Sequence, residues 1–235
     1  LDEGNYKGLL YSFSGKNGYL MYGNNSSTKY QGTSSQFREP AVVSSDSLDY
    51  KNYNITEEGL QTQYNSMIAS VLKYKGFYVA RYEAGIQDNK VVFKNANTTS
   101  GVTTLDASSA NMWYGLYGRM VSFAEKDDKF VSSMIWGSQY DAMMNWMAKT
   151  GKEVGKADDT KRNTTTITGG GNKPDIINNV YDLYGCHYEW TLEANGTGGR
   201  AFHGGYYIDS DSPSNHYDTN PSNTDSALSS RATLY

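Results

Sequence analysis

The sequence predicts an α+β fold in which two or three helices pack against short antiparallel strands, and three observations predict it. Apolar residues recur at spacings of three and four in three separate stretches. Short runs rich in aromatic and β-branched residues, bounded by turn residues, lie between and after them. The composition, with 21 Tyr, 24 Gly and only 20% charged residues, suits strand faces and turns.

The first helix is expected where Thr56 can N-cap a segment carrying Glu57 and Glu58 in its first turn. Leu60, Tyr64, Met67, Ile68, Val71 and Leu72 then mark one face up to Gly76. A second stripe, Trp113, Leu116, Tyr117, Met120, Val121 and Ala124, follows a cap at Ser108 or Ser109. A third, Tyr140, Met143, Met144 and Met147, falls between Ser138 and Gly151. Apolar residues at helical spacing are assigned to the core, not to a cofactor.

Strands are predicted at residues 76–82, 132–136, 190–194, 202–208 and 231–235. Residues 1–65 are assigned to an N-terminal extension of hairpins and loops leading into the first helix, with turns at Lys16-Asn17-Gly18 and Gly23-Asn24; residues 66–235 form the main domain. Residues 151–175 carry charged residues, a Thr run and Gly169-Gly170-Gly171 without apolar period, which predicts a flexible surface loop. No Lys-Ser/Thr follows those glycines, so they are not assigned to phosphate binding.

Several functions are disfavoured. A single cysteine, Cys186, rules out an intramolecular disulfide. A net charge of −4 with scattered Lys and Arg argues against nucleic acid. No run approaches the roughly 18 apolar residues of a membrane span. Leu1-Asp2-Glu3-Gly4 is neither a basic leader nor an initiator start, so the chain is expected to begin after a trimmed or omitted segment. Triplets such as Asn54-Ile55-Thr56 and Asn195-Gly196-Thr197 are expected by chance in a chain this rich in Asn and Thr. His187, His203 and His216 lack His-x-x-x-His or Cys-x-x-Cys spacing, and no metal centre is predicted from them.

Three segments follow one another in a recognisable order. The first is Gly76-Phe77-Tyr78-Val79-Ala80-Arg81-Tyr82-Glu83-Ala84-Gly85. The second is Asn179-Val180-Tyr181-Asp182 continuing through Gly185-Cys186-His187-Tyr188-Glu189-Trp190-Thr191. The third is Arg200-Ala201-Phe202-His203-Gly204-Gly205-Tyr206, closed by Ser230-Arg231-Ala232-Thr233-Leu234-Tyr235. Together they resemble the formylglycine-generating-enzyme family, a variant of the C-type lectin fold, over residues 66–235. Ile135-Trp136-Gly137-Ser138-Gln139-Tyr140-Asp141 is similar to its prophage-borne and surface members.

The departures from that family carry the functional expectation. Its oxidase activity needs a copper-binding cysteine pair between the Gly-Gly segment and the closing strand, and residues 206–229 contain no cysteine. The resemblance therefore implies a binding protein, not an enzyme. Cys186 stands where the family has Asn, which weakens its structural calcium site near Glu189; no other cofactor is implied.

The last segment differs in composition from the rest. All 15 Lys, 9 Glu, 6 Gln, 8 Met and 4 Trp precede Arg200. At that density residues 200–235 would hold about eight of them, and surface loops are not usually poor in Lys, Glu and Gln. None of the five types has a codon ending in a pyrimidine. Codons that end in a pyrimidine and vary at the first two bases instead yield Asn, Asp, Ser, Tyr, His, Thr, Ala, Ile, Phe and Gly, the makeup of residues 202–229. In this respect the segment resembles the variable region in target proteins of diversity-generating retroelements, which rewrite Asn codons at adenines.

The expectation is thus a hypervariable ligand- or receptor-binding surface built from Phe202, His203, Tyr206, Tyr207, Asp209, Asp211, His216, Tyr217, Asp218, Asn220, Asn223 and Thr224. Tyrosine with adaptable polar residues is the mixture found in antibody paratopes. Its partner would be a protein or glycan receptor, with extracellular display on a phage virion or bacterial cell surface. Two alternatives remain: a metal-dependent oxidase or oxygenase-like enzyme on the same fold, using His203 or His216, and a structural tail or adhesion component.

Overall fold

The structure is a computed structural model that describes residues 37–43, 46, 55–105, 113–124, 129–173, 175–209 and 211–235. The turns at Lys16-Asn17-Gly18 and Gly23-Asn24 and the Ser108 or Ser109 cap lie outside the described residues.

Helix α1 (Glu57–Tyr74) begins as expected, with Thr56 Oγ1 accepting from Gly59 N at 3.0 Å. It ends two residues before the expected Gly76, because Lys75 takes the left-handed conformation and donates its N–H to Val71 O. Helix α2 (Trp113–Val121) runs into a 3₁₀ turn at Ser122–Ala124. Helix α3 (Gly137–Lys149) opens with Gln139 Oε1 accepting from Trp136 N at 3.2 Å.

The main sheet is ordered β1 (Phe37–Arg38), β8 (Tyr188–Asn195), β9 (Gly199–His203), β10 (His216–Thr219), with β11 (Leu228–Ser230) also paired to β8. A second sheet is ordered β2 (Tyr78–Val79), β12 (Ala232–Leu234), β5 (Ser132–Met134). The closing segment passes from one sheet to the other through Arg231 alone. The fold is α+β, and most pairings are antiparallel as expected. The exception is β11, which runs parallel to β8 with Leu228 opposite Tyr188.

Two small hairpins, β3 (Gly85–Gln87) with β4 (Lys90–Val92) and β6 (Ile176–Ile177) with β7 (Val180–Tyr181), were not anticipated. Both turn through pairs with positive φ, Asp88-Asn89 and Asn178-Asn179. Asp and Asn tolerate that region because their short polar side chains satisfy local backbone groups, and the resulting twist suits a tight hairpin.

The three predicted stripes are core. Leu60, Met67, Val71, Trp113, Leu116, Tyr117 and Met120 pack with Trp136, Trp190 and Leu192, and the Trp113 and Tyr117 rings stack at 5.0 Å. Tyr140, Met143, Met144 and Met147 form a second cluster with Leu183 and Tyr184.

Three expectations need correction. The strand predicted at 202–208 ends at His203, because Gly204 turns the chain at φ 84. The boundary at 65/66 falls inside α1, and the described part of the N-terminal segment belongs to the same body: β1 pairs with Asn195 and Ala194, and Asp46 is buried against Arg200. The 151–175 segment is irregular and largely exposed over residues 151–160 as expected, but its glycine-bearing part is packed inward and is not surface. Asn163, Thr168, Gly169, Gly170 and Asp175 are buried. The Asp182 carboxylate accepts from Gly169 N (2.6 Å), Gly170 N (2.8 Å) and Asn163 Nδ2 (3.0 Å), so the glycines cradle an anion supplied by the protein itself.

Candidate ligand-contact site

The candidate site is built on β8, β9 and β10 and on the loops that follow β9 and β10. Alternation along antiparallel strands places Phe202 on the outer face and His203 on the inner one. Opposite them, Tyr217 pairs with Phe202 and His216 with His203. The outer residues make an aromatic platform: Tyr217 stacks on Phe202 (5.6 Å), Tyr188 lies 5.0 Å from Phe202, and Tyr206 stacks on Tyr188 at 4.6 Å. Tyr207 meets Tyr206 edge-on.

Asp211 holds this platform together. Its Oδ2 accepts from Tyr188 Oη (3.1 Å) and Tyr217 Oη (3.0 Å), and its Oδ1 from Asn215 Nδ2 (2.6 Å). Burial and the neighbouring carboxylate push the Tyr188 phenol well above its ordinary value and Tyr217 up to about 12. Both hydroxyls therefore stay protonated at neutral pH.

A cavity of about 500 Å³ opens beside the platform, lined among others by Tyr188, Phe202, Tyr206, Asn223, Thr224 and Asp225. A second concavity, of about 370 Å³, gathers Asp218, Thr219 and Asn220 against Asn195, Gly196 and Gly198. Asn220 and Asn223 shape the 220–223 turn: Asn220 Oδ1 accepts from Ser222 N, and Asn223 Nδ2 donates to Thr219 Oγ1. Asp209 is exposed. Tyr207 is partly tied down, its carbonyl accepting from Arg162 Nη1 at 2.7 Å.

Ten of the twelve residues expected on this surface are thus exposed or half-exposed. His203 and His216 are the corrections: both are buried, because their register points them inward, where Tyr140 stacks on His203 at 4.3 Å. They converge with Glu193, whose Oε2 lies 2.8 Å from His216 Nε2 and 4.0 Å from His203 Nε2. Burial lowers His203 to about 3 and His216 well below its ordinary value, and pushes Glu193 up. Spacing in the sequence hid this cluster, because its three members come from three strands.

Glu83, Cys186 and His187 form a second buried group, in which His187 Nδ1 lies 2.6 Å from Glu83 Oε2. Cys186 is fully buried, and burial raises its thiol well above the ordinary range, which disfavours the thiolate. The Glu189 carboxylate is taken up on both oxygens by Arg231, including Nε to Oε2 at 2.6 Å, and so offers little to a calcium ion.

Tyr188, Thr219, Ser222 and Asp225 also line the cavities and were missed. Tyr188 carried a signal, since it stands two residues before Trp190 and so shares its strand face. No helix among the described residues is long and apolar enough to cross a membrane. No protein-family model matches the chain, and no characterised protein or solved structure is significantly similar to it.

Proposed function

We propose that this chain is a ligand- or receptor-binding protein of the C-type-lectin-like, formylglycine-generating-enzyme type, displayed on a phage virion or bacterial surface and diversified at its C-terminal segment by a retroelement. One observation carries the reading. The segment devoid of Lys, Glu, Gln, Met and Trp supplies the aromatic platform apart from Tyr188, and much of the lining of the adjoining cavity. Rigid aromatic rings beside exposed carboxamides and hydroxyls provide contact area at low entropic cost. The burial of Glu193, His203 and His216 suits a structural role for them better than a catalytic one, which supports the binding reading.

The test is sequence variation at the locus in closely related genomes, together with a search for a nearby reverse transcriptase and a near-copy of the final coding stretch. Substitutions should fall on Tyr206, Asp209, Asp218, Asn220, Asn223 and Thr224 and spare His203, Gly204, Gly205 and His216. Variation spread evenly over exposed positions of the whole chain, with no adenine bias, would overturn the reading.

A further inference from the structure

We propose that Glu193, His203 and His216 bind a divalent transition-metal ion that clips the base of the 204–215 loop to β8. The three ligand atoms lie within 4.8 Å of one another. Metal bonds of about 2.0–2.2 Å place tetrahedral ligand atoms roughly 3.4 Å apart. The 2.8 Å and 4.0 Å separations bracket that value, so small side-chain rotations bring the three ligand atoms to bonding distance of one ion.

The polar inventory points to a ligand. Neither ring nitrogen of His203 has a hydrogen-bond partner, and Glu193 Oε1 has none, although both side chains are fully buried. Buried polar atoms without partners are rare in folded proteins and call for a missing group. The buried arginines do not supply the missing charge, since Arg200 pairs with Asp46 and Arg231 with Glu189. Two imidazoles and one carboxylate suit a borderline divalent cation such as zinc.

Local backbone geometry is arranged for the cluster. The β8–β9 register shifts between Trp190 and Ala194, and such a bulge re-aims side chains, here Glu193. At Gly137 a Cβ would stand 2.8 Å from Glu193 Oε2, so glycine leaves room for the carboxylate. The Glu83–Cys186–His187 group is the weaker candidate, because its carboxylate already accepts from His187.

Joining His203 to His216 closes the 204–215 loop, the segment that carries Tyr206, Tyr207, Asp209 and Asp211. A metal clip there restricts the unfolded chain in a protein without disulfides. The proposal holds whatever the outer surface binds, and its outcome is independent of that reading.

The experiment uses the whole chain, purified, stripped with a chelator, and titrated with Zn²⁺ by calorimetry and with Co²⁺ by absorption. One equivalent should bind, with cobalt d–d bands of a nitrogen and oxygen shell and no thiolate charge-transfer band. The Tm should rise with metal concentration. His203→Ala, His216→Ala and Glu193→Gln should each weaken binding by at least about a hundredfold, since even outer-shell losses cost ten- to a hundredfold. Should those variants fail to fold, X-ray absorption on the wild-type zinc complex decides by its imidazole scattering. An unchanged Tm with no heat, a cobalt–thiolate band, or full-strength binding by folded His203→Ala would each overturn the proposal.

Discussion

Arg200 and Asp46 form a buried ion pair at 2.6 Å that ties the first residue of the compositionally distinct segment to the N-terminal part of the chain. The Arg200 guanidinium also lies 4.2 Å over the Trp113 ring and donates to Ala41 O and Leu192 O. Asp46 in turn accepts from Val43 N and Tyr114 Oη. Asp46→Ala leaves a buried cation and a buried hydroxyl without their acceptor, and should cost about 3–5 kcal/mol. Urea denaturation measures it; a loss below about 1 kcal/mol would mean the pair is solvated.

Glu39 predicts a pH dependence. Its carboxylate accepts from Ser138 N at 2.9 Å, yet burial dominates and raises it from 4.5 to about 7. A carboxyl whose folded value exceeds its unfolded one binds its proton more tightly in the native state. The resulting stability is fully present below pH 4.5 and is lost as pH rises through 7. Asp175, raised to about 7, and Asp182, raised to about 6, act in the same direction. Glu39→Gln should flatten this slope and stabilise the protein at alkaline pH by up to about 3 kcal/mol. Denaturation free energies across that window check it, and an unchanged slope refutes it.

The Asp182 cradle makes a local prediction. Asp182→Asn keeps a residue that tolerates φ 65 but turns an NH₂ group toward donors at Gly169, Gly170 or Asn163. The cost should be about 2 kcal/mol. Hydrogen exchange should accelerate at the Gly169 and Gly170 amides; continued protection there would show that the cradle does not depend on the carboxylate.

The tyrosines should separate into contact and support. Tyr206→Ala removes one stacked ring and should change stability by less than about 1 kcal/mol while weakening target binding. Tyr217→Ala removes the stack on Phe202 and the bonds to Asp211 and Asn215, and should cost about 2 kcal/mol as well as affinity. Thermal denaturation distinguishes them, and equal losses from both would place Tyr206 in the core.

Much of the frame was legible in the sequence because its signals are local. The three helical stripes follow from 3.6-residue periodicity, and Thr56 caps α1 through an atom three residues from its partner. Tyr206, Asp209, Asp218, Asn220, Asn223 and Thr224 were visible as surface because their segment lacks the residues common elsewhere. The inward turn of His203 and His216 was not visible, since it depends on where β9 starts relative to β10. A shift of one residue reverses every side chain on a strand.

By itself, then, the chain's residue order determined an α+β body with a helical core and a tyrosine- and asparagine-bearing C-terminal segment. Tertiary structure alone decided that Gly169 and Gly170 hold an internal carboxylate, that Asp46 meets Arg200, and that Glu193, His203 and His216 converge beneath the platform. Each of these joins residues on different strands or loops, and only the register and the strand crossovers set such distances.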